Sequence, residues 1–445
     1  MRLRERLVSS KVSRRALPGL WAAMVLIVGL SAAYASATNS RAALLLVVVV
    51  AGGTCLITIF SLNVNILYGT AFAVLPWIAL STPGIGLPIG ELLMGIAVVV
   101  AVTQNRRRRE PLPAFPKVMA CALVAMMTIS GVLNPWLGIF AAKRIGHVCL
   151  YCAVFLTIGV GLFPRRVIQK GMLIGLAIAS FFGIVYLMAG LAPFGYPGRL
   201  TGLLFGDPNP AALAILALGF LSIDIVPAGS RRNSVIAALA IPFLLTQSRG
   251  ALVGLALAIV WWAIARRFRP AAGLAIITGT SAAISVLPTT LQDIGIFGSR
   301  SGSDVLRASI LAESTKAAVR GFWTGNGPGT GLVRVYGSYN FFFHNSYLAV
   351  ISEGGIISAA IISSLLLVHF LRLIALPMPV RNTWIEMAMI VIATAGFHLG
   401  EVLLDLPAAV AIGLCIDWIA RPETGRSLAQ PTLGLRETPR RVLTQ

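Results

Sequence analysis

Three kinds of side chain in this sequence could do chemistry together: a histidine, a set of arginines and a buried carboxylate. His344 stands in Phe343-His344-Asn345-Ser346-Tyr347-Leu348, directly before an apolar run. An imidazole titrates near neutrality and can take a proton from a hydroxyl. A histidine that only caps the interface would suit the same position, and the sequence alone does not choose. Asn345 beside it is a neutral hydrogen-bonding neighbour that could meet a substrate. Arg249, in Gln247-Ser248-Arg249-Gly250, falls where two apolar runs meet. A guanidinium at such depth is costly and usually faces a polar cavity. Arg300 and Arg307 belong to a long stretch, about Leu291 to Glu353, with little hydrophobic periodicity of its own. With Lys143, Arg144, Arg199 and Arg320 they break the charge pattern described below. Guanidinium forks bind phosphate oxygens bidentately and remain charged, so several on one cavity would suit a pyrophosphate. They would also stabilise the charge that develops on a departing phosphate. Snorkelling to lipid headgroups is the bland alternative for each. Glu353, inside an apolar run, is expensive unless paired, and an outer arginine could pair it.

The elements that must position these residues are membrane helices. Of the 445 residues 57% are hydrophobic and 11% charged, where a soluble domain carries roughly a quarter charged. Apolar runs of about 18 or more residues recur along the chain, too long and continuous for barrel strands. The expected fold is all-α: a polytopic membrane protein of about 12–14 transmembrane helices, with one large extracytoplasmic loop between helices 11 and 12. The net charge of +21 would point to nucleic acid in a soluble protein. Here the basic clusters sit between apolar runs, so topology explains them and no nucleic-acid partner is expected. A basic N-terminus (1–19) precedes helices 1–11 (20–289). The loop 290–345 is extracytoplasmic, helices 12–14 fill 346–420, and a basic cytoplasmic tail runs over 421–445.

Within that plan helices 1 and 2 span about 20–37 and 41–60. Helix 6 is expected from about 146, after an outer connection ending at Lys143-Arg144. Asn209 before Pro210 reads as an N-cap with proline at the first helical position. Helices 9 and 10 span about 233–247 and 250–265, and helix 11 spans about 271–289. Residues 304–322 have helix-like apolar spacing, as of a segment lying flat on the membrane. Helix 13 covers about 384–400, which puts His398 near Glu401 and Asp405 at the outer ends of helices 13 and 14. Charged residues at membrane depth cluster at the outer end, with Glu91 and Asp224 as exceptions.

Other signals point away from other chemistries. The histidines are far apart and no metal-binding motif is present, so neither metal nor cofactor is called for. Gly325-Asn-Gly327-Pro-Gly329-Thr-Gly331 lacks the Lys-Ser/Thr of a phosphate loop. It reads as tight turns that let backbone approach a helix end. The five cysteines lie in apolar runs and imply no disulfide framework.

His344-Asn345-Ser346-Tyr347-Leu348 followed by Glu353-Gly354-Gly355-Ile356 resembles the signature of the O-antigen ligase and O-antigen polymerase superfamily. So do Thr246-Gln-Ser248-Arg249-Gly250 and Gly202-x-x-Phe205-x-Asp207-Pro208-Asn209, in the same order around one large outer loop. The resemblance covers about residues 190–360. It implies metal-independent, inverting glycosyl transfer at a bacterial inner membrane, with the site facing the periplasm. The implied donor is a glycan on undecaprenyl pyrophosphate. The implied acceptor is lipid A-core or another glycan or lipid (ligase), or a second lipid-linked repeat (polymerase). By this resemblance His344 would deprotonate or orient the acceptor hydroxyl, and Arg249 with Arg300 or Arg307 would hold the pyrophosphate. The family often has a tryptophan soon after the loop arginine; here Ala308-Ser309-Ile310 follows Arg307. A transporter or flippase of lipid-linked anions would need polar residues through the whole bilayer, which distinguishes it from an enzyme with a one-sided site.

Overall fold

The computed structural model describes residues 64–77, 88–104, 113–190, 198–201, 204–265, 301–335 and 339–421. The expected helices 1, 2 and 11, the chain ends and Arg300 lie outside the described residues. The described helices are α1 (Val64–Val74), α2 (Ile89–Gln104), α3 (Ala114–Leu133), α4 (Ile139–Gly159), α5 (Arg165–Met188) and α6 (Pro208–Ile223). They continue as α7 (Ser230–Leu245), α8 (Arg249–Ile264), α9 (Ser301–Arg320), α10 (Ser346–Ile374), α11 (Thr383–Ala395) and α12 (Leu406–Ala420).

Four of them, α3, α4, α5 and α10, are long and apolar enough to cross a membrane, and six shorter helices are apolar too. Interior faces are packed with small and aromatic side chains. Ala211, Ala214 and Ala217 of α6 and Ala408, Ala409 and Ala411 of α12 are buried, beside Tyr151, Phe155 and Trp261. Small residues let helix backbones approach where no hydrophobic effect drives them together. Helix α12 lies on α4, α5 on α1, α11 on α8 and α6, and α10 on α3.

The one departure from an all-helical plan among the described residues is a β-hairpin before α10. Strands β1 (Leu332–Val335) and β2 (Tyr339–Phe342) pair antiparallel, with Val333 opposite Phe341. Val333 and Val335 point inward and join Ile310 of α9, Phe343 and Ala349 in a small satellite core. The helical spacing of 304–322 is met by α9. The helix lies on the hairpin and α10, with Ile310 and Ala317 buried there, while Val305, Leu311 and Val319 of the apolar stripe are exposed.

Helix α10 is broken at Gly355, whose φ of +76° is non-helical. Such a value suits glycine and few others. The glycine-rich loop enters the break. Asn326 N donates to Ser352 O at 2.6 Å, and Ile356 N donates to Phe322 O at 2.7 Å. Ser130 Oγ on α3 donates to Glu353 O at 2.7 Å. Backbone groups freed at membrane depth must find such partners. Thus the tight turns serve the approach of backbone to a helix end.

Several element boundaries differ from expectation. Helix α4 begins at Ile139, after a 3-10 turn at Pro135–Leu137, so Lys143 and Arg144 lie inside the helix rather than in the connection before it. The cap of α6 is Asp207, which accepts from Asn209 N. Pro208 is the first helical residue, and Asn209 is freed for other work. Helix α11 stops at Ala395, leaving a ten-residue connection, 396–405, at the same end of the bundle as His344.

Candidate functional site

The hairpin and α10 fix His344 between them. Phe343 N donates to Gly331 O at 3.0 Å, which ties the end of β2 to the glycine-rich loop. Asn345 is the N-cap of α10, and its side-chain oxygen accepts from Tyr347 N and Leu348 N. Half-buried His344 is thus the last residue before a capped helix. Ser346 then binds the 396–405 connection. Its N donates to Gly396 O at 2.7 Å, its hydroxyl donates to Leu399 O at 2.7 Å, and Val402 N donates to that hydroxyl at 2.7 Å. Tyr347 adds a bond from its hydroxyl to Ala393 O and stacks on Phe397, 4.6 Å between ring centroids. A Cβ on Gly400 would stand 1.9 Å from Phe343 O, so only glycine admits this approach.

The second contribution comes from the turn between α7 and α8. Arg249 is the first residue of α8, where backbone N–H groups are unsatisfied by the helix itself. Gln247 just before it has φ of +50°, the one positive value at a non-glycine among the described residues. The turn is held by the α6 side. Arg199 Nε donates to Thr246 O at 2.9 Å, and Arg199 Nη2 reaches Asn209 Oδ1 at 3.4 Å. Ser248 Oγ donates to the same Asn209 oxygen at 3.0 Å. Arg199, expected to touch substrate, holds the turn that carries Arg249.

Helix α9 supplies the third contribution, Arg307. Its charge reaches both His344 and His398 and disfavours their protonation. Loss of hydration is the larger cause of the lowered pKa of His344, and Asp207 pulls the other way. The imidazole is therefore held in the neutral form, the form that can accept a proton. His398 packs against Gly250: a Cβ on that glycine would lie 3.0 Å from His398 Cβ. Arg249, Arg307, His344, His398, Asp207, Asn209 and Arg199 thus gather from five chain segments.

Arg144 and Glu353 are paired with each other. Arg144 Nε donates to Glu353 Oε2 at 2.9 Å, and its Nη1 lies 3.5 Å from exposed Glu401. The Glu353 side chain is 3% exposed. The expected pairing of Glu353 with an outer arginine is found, and it engages both charges within the protein. His147 on the next turn meets Glu91 at 3.1 Å and Leu404 O at 2.7 Å. Lys143 is exposed. Among the described residues no group of His, Cys, Asp and Glu is arranged to hold a metal ion.

Residues 234–363 match the family model described as O-antigen ligase. That stretch, less than a third of the chain, is similar to the O-antigen ligases. The match takes in Arg249, Arg307, His344, Asn345 and Glu353, and ends before His398. It supports a membrane protein that processes glycans in the manner of the ligases and polymerases of this superfamily. No curated protein matches the chain. His398 is the residue that sequence reasoning left out of this group. The signal for it was its place beside Glu401 and Asp405 at the ends of two helices, which the sequence reading noted without joining His398 to the arginines.

Proposed function

We propose that this protein moves a glycan from a polyprenyl pyrophosphate to an acceptor hydroxyl on the periplasmic face of the bacterial inner membrane, as an O-antigen ligase. The carrying observation is the gathering of Arg249, Arg307 and a neutral His344 at one end of the bundle. In this reading the acceptor hydroxyl lies against His344, and its oxygen attacks the anomeric carbon of the donor sugar. The bond from that carbon to the phosphate oxygen breaks on the opposite face, which inverts the configuration. The hydroxyl proton passes to the imidazole, and the lipid pyrophosphate leaves as an anion. Arg249 and Arg307 stabilise the charge that grows on it, the larger part of such catalysis. Arg300, in the stretch before α9, is a further candidate for the same contact.

The two arginines come from different helices, so they can grip two phosphoryl groups at once. Their fork geometry suits this where a lysine's point charge does not. Asn345 spends its side-chain oxygen on capping α10, which leaves its amide N–H groups for the acceptor.

The test is transfer by the purified protein from an undecaprenyl-pyrophosphate glycan, with either lipid A-core or a second lipid-linked repeat as acceptor. A single product on lipid A-core is the expected result. A ladder on undecaprenyl would make the protein a polymerase with the same site. Absence of product with both acceptors, together with carriage of the lipid-linked glycan across vesicles, would replace the enzyme by a transporter.

A further inference from the structure

We infer that His398, on the connection between α11 and α12, is a further anion-facing group of the site, its ring N–H donating a hydrogen bond to a phosphoryl oxygen held by Arg249 and Arg307. This rests on the pyrophosphate reading of the site and adds one group to it.

Placement is the first argument. The 396–405 connection is bolted to the start of α10 by Ser346, Tyr347 and the close pass of Gly400 under Phe343 O. His398 is therefore held in a fixed relation to His344, with which it shares that anchor. On its other side it lies against Gly250, the residue after Arg249, where even a methyl group would crowd it. Glycine at that position makes room for the imidazole beside the arginine.

Exposure is the second argument. The other described histidines outside this group are engaged. His369 is 2% exposed, with Nδ1 2.6 Å from Leu365 O. His147 is held between Glu91 and Leu404 O. His398 is exposed, and its ring has no hydrogen bond among the described residues. A packing role would bury it, and a structural hydrogen bond would occupy it.

Charge is the third. Protein packed against one side of the exposed ring removes part of its hydration and, with the positive charge of Arg307, holds the His398 pKa below its ordinary value. A neutral imidazole carries one N–H donor and one lone pair. It can therefore donate to an anion without placing another positive charge beside two guanidinium groups.

The experiment is calorimetric titration of inorganic pyrophosphate into the full chain in detergent, comparing wild type with His398→Ala, His398→Asn, Gly250→Ala and Arg249→Ala. A hydrogen bond to a charged group is worth enough that His398→Ala should weaken binding about tenfold. His398→Asn, which keeps an N–H donor, should restore most of it. Gly250→Ala should weaken binding with the histidine still present, because the added methyl displaces it. Thermal unfolding of His398→Ala should match wild type, as expected for an exposed side chain. Wild-type pyrophosphate affinity in a folded His398→Ala protein would overturn the inference while leaving the arginine cradle standing. No pyrophosphate binding by wild type, or binding undiminished in Arg249→Ala, would overturn the cradle itself.

Discussion

The two ends of the helical bundle both carry charge, and they use it differently. At the end away from His344, Arg381 clasps Glu386 with two bonds of 2.8 and 2.7 Å. Trp261 Nε1 adds a third at 2.8 Å. Both charged side chains are almost fully buried, 4% and 0% exposed. Asp417 is held by Arg165 and Arg421, and Asp224 accepts from Asn382 Nδ2 at 3.0 Å. These carboxylates meet donors on neighbouring helices and present little to solvent, so they stitch α5, α6, α11 and α12 together. At the His344 end, Arg307 acts on both His344 and His398, and Asp207, whose carboxylate caps α6, acts on His344. His344 is half-buried and His398 exposed. Buried pairs with matched charge build structure, whereas a basic group with a half-buried and an exposed histidine at its edge suits an anion from outside.

The largest expected effect separates chemistry from folding at the second end. His344→Ala should lower glycan transfer by about 10²–10⁴-fold, the usual worth of a positioned base. Its unfolding temperature should stay near wild type, since the side chain makes no hydrogen bond among the described residues. Transfer at the wild-type rate would remove His344 as the base and leave only its interface role.

At the first end the pattern should reverse. Glu386→Ala leaves Arg381 buried without its carboxylate, and breaking such a pair costs about 3–5 kcal/mol. Denaturation should show that loss, while the protein that remains folded transfers glycan at the wild-type rate. Arg249→Lys should do the opposite, impairing transfer with little change in stability, because an ammonium cannot reproduce the guanidinium fork. If Glu386→Ala lowered the rate per folded molecule as much as Arg249→Lys, the division between the ends would fail.

The membrane class was legible because hydrophobic runs of that length have few other homes. Arg249 was legible because a cation between two apolar runs demands an explanation, and His344 because it precedes a helix. The inner pairs were not. Asp417 and Glu386 sit singly in apolar stretches, and their arginine partners lie on other segments or beyond a turn. Nothing local announces the pairing of Arg165 with Asp417, although Arg421 and Arg381 stand only four and five residues from Asp417 and Glu386. The same holds for Arg144, which is separated from Glu353 by 209 positions. Arg199 was read as out of pattern, and its role as a clamp on Thr246 O needed the fold. The hairpin was missed because four-residue strands carry too little alternation to stand out. His398 was placed beside Glu401 and Asp405, and joining it to the arginines needed the fold.

A smaller effect tests the electrostatics of the second end. Burial and Arg307 both lower the His344 pKa, and only the neutral imidazole can accept the proton. Transfer should therefore fall on the acid side of the ordinary histidine value, as His344 becomes protonated. Arg307→Gln removes the repulsive charge, so the pKa rises and the acid limb of the residual activity should move to higher pH. An unchanged limb would place Arg307 too far from His344 to act on it. The same substitution at Arg381, in the opposite cluster, should leave the position of the limb unmoved.

The smallest effect concerns how the two histidines are held. Asn345→Ala removes the cap of α10, which costs about 1 kcal/mol, and frees two N–H groups at the base of His344. Ser346→Ala removes the link from α10 to the 396–405 connection and leaves the cap intact. If position rather than contact is what Ser346 supplies, Ser346→Ala should loosen the connection that carries His398 and weaken pyrophosphate binding, with His344 still capped. Amide hydrogen exchange would follow this directly, with faster exchange at Val402, whose N–H now bonds the serine hydroxyl. Asn345→Ala should instead speed exchange at Tyr347 and Leu348. Faster exchange spread equally over both segments in either variant would mean that the two supports form a single unit, with His344 and His398 held by it jointly.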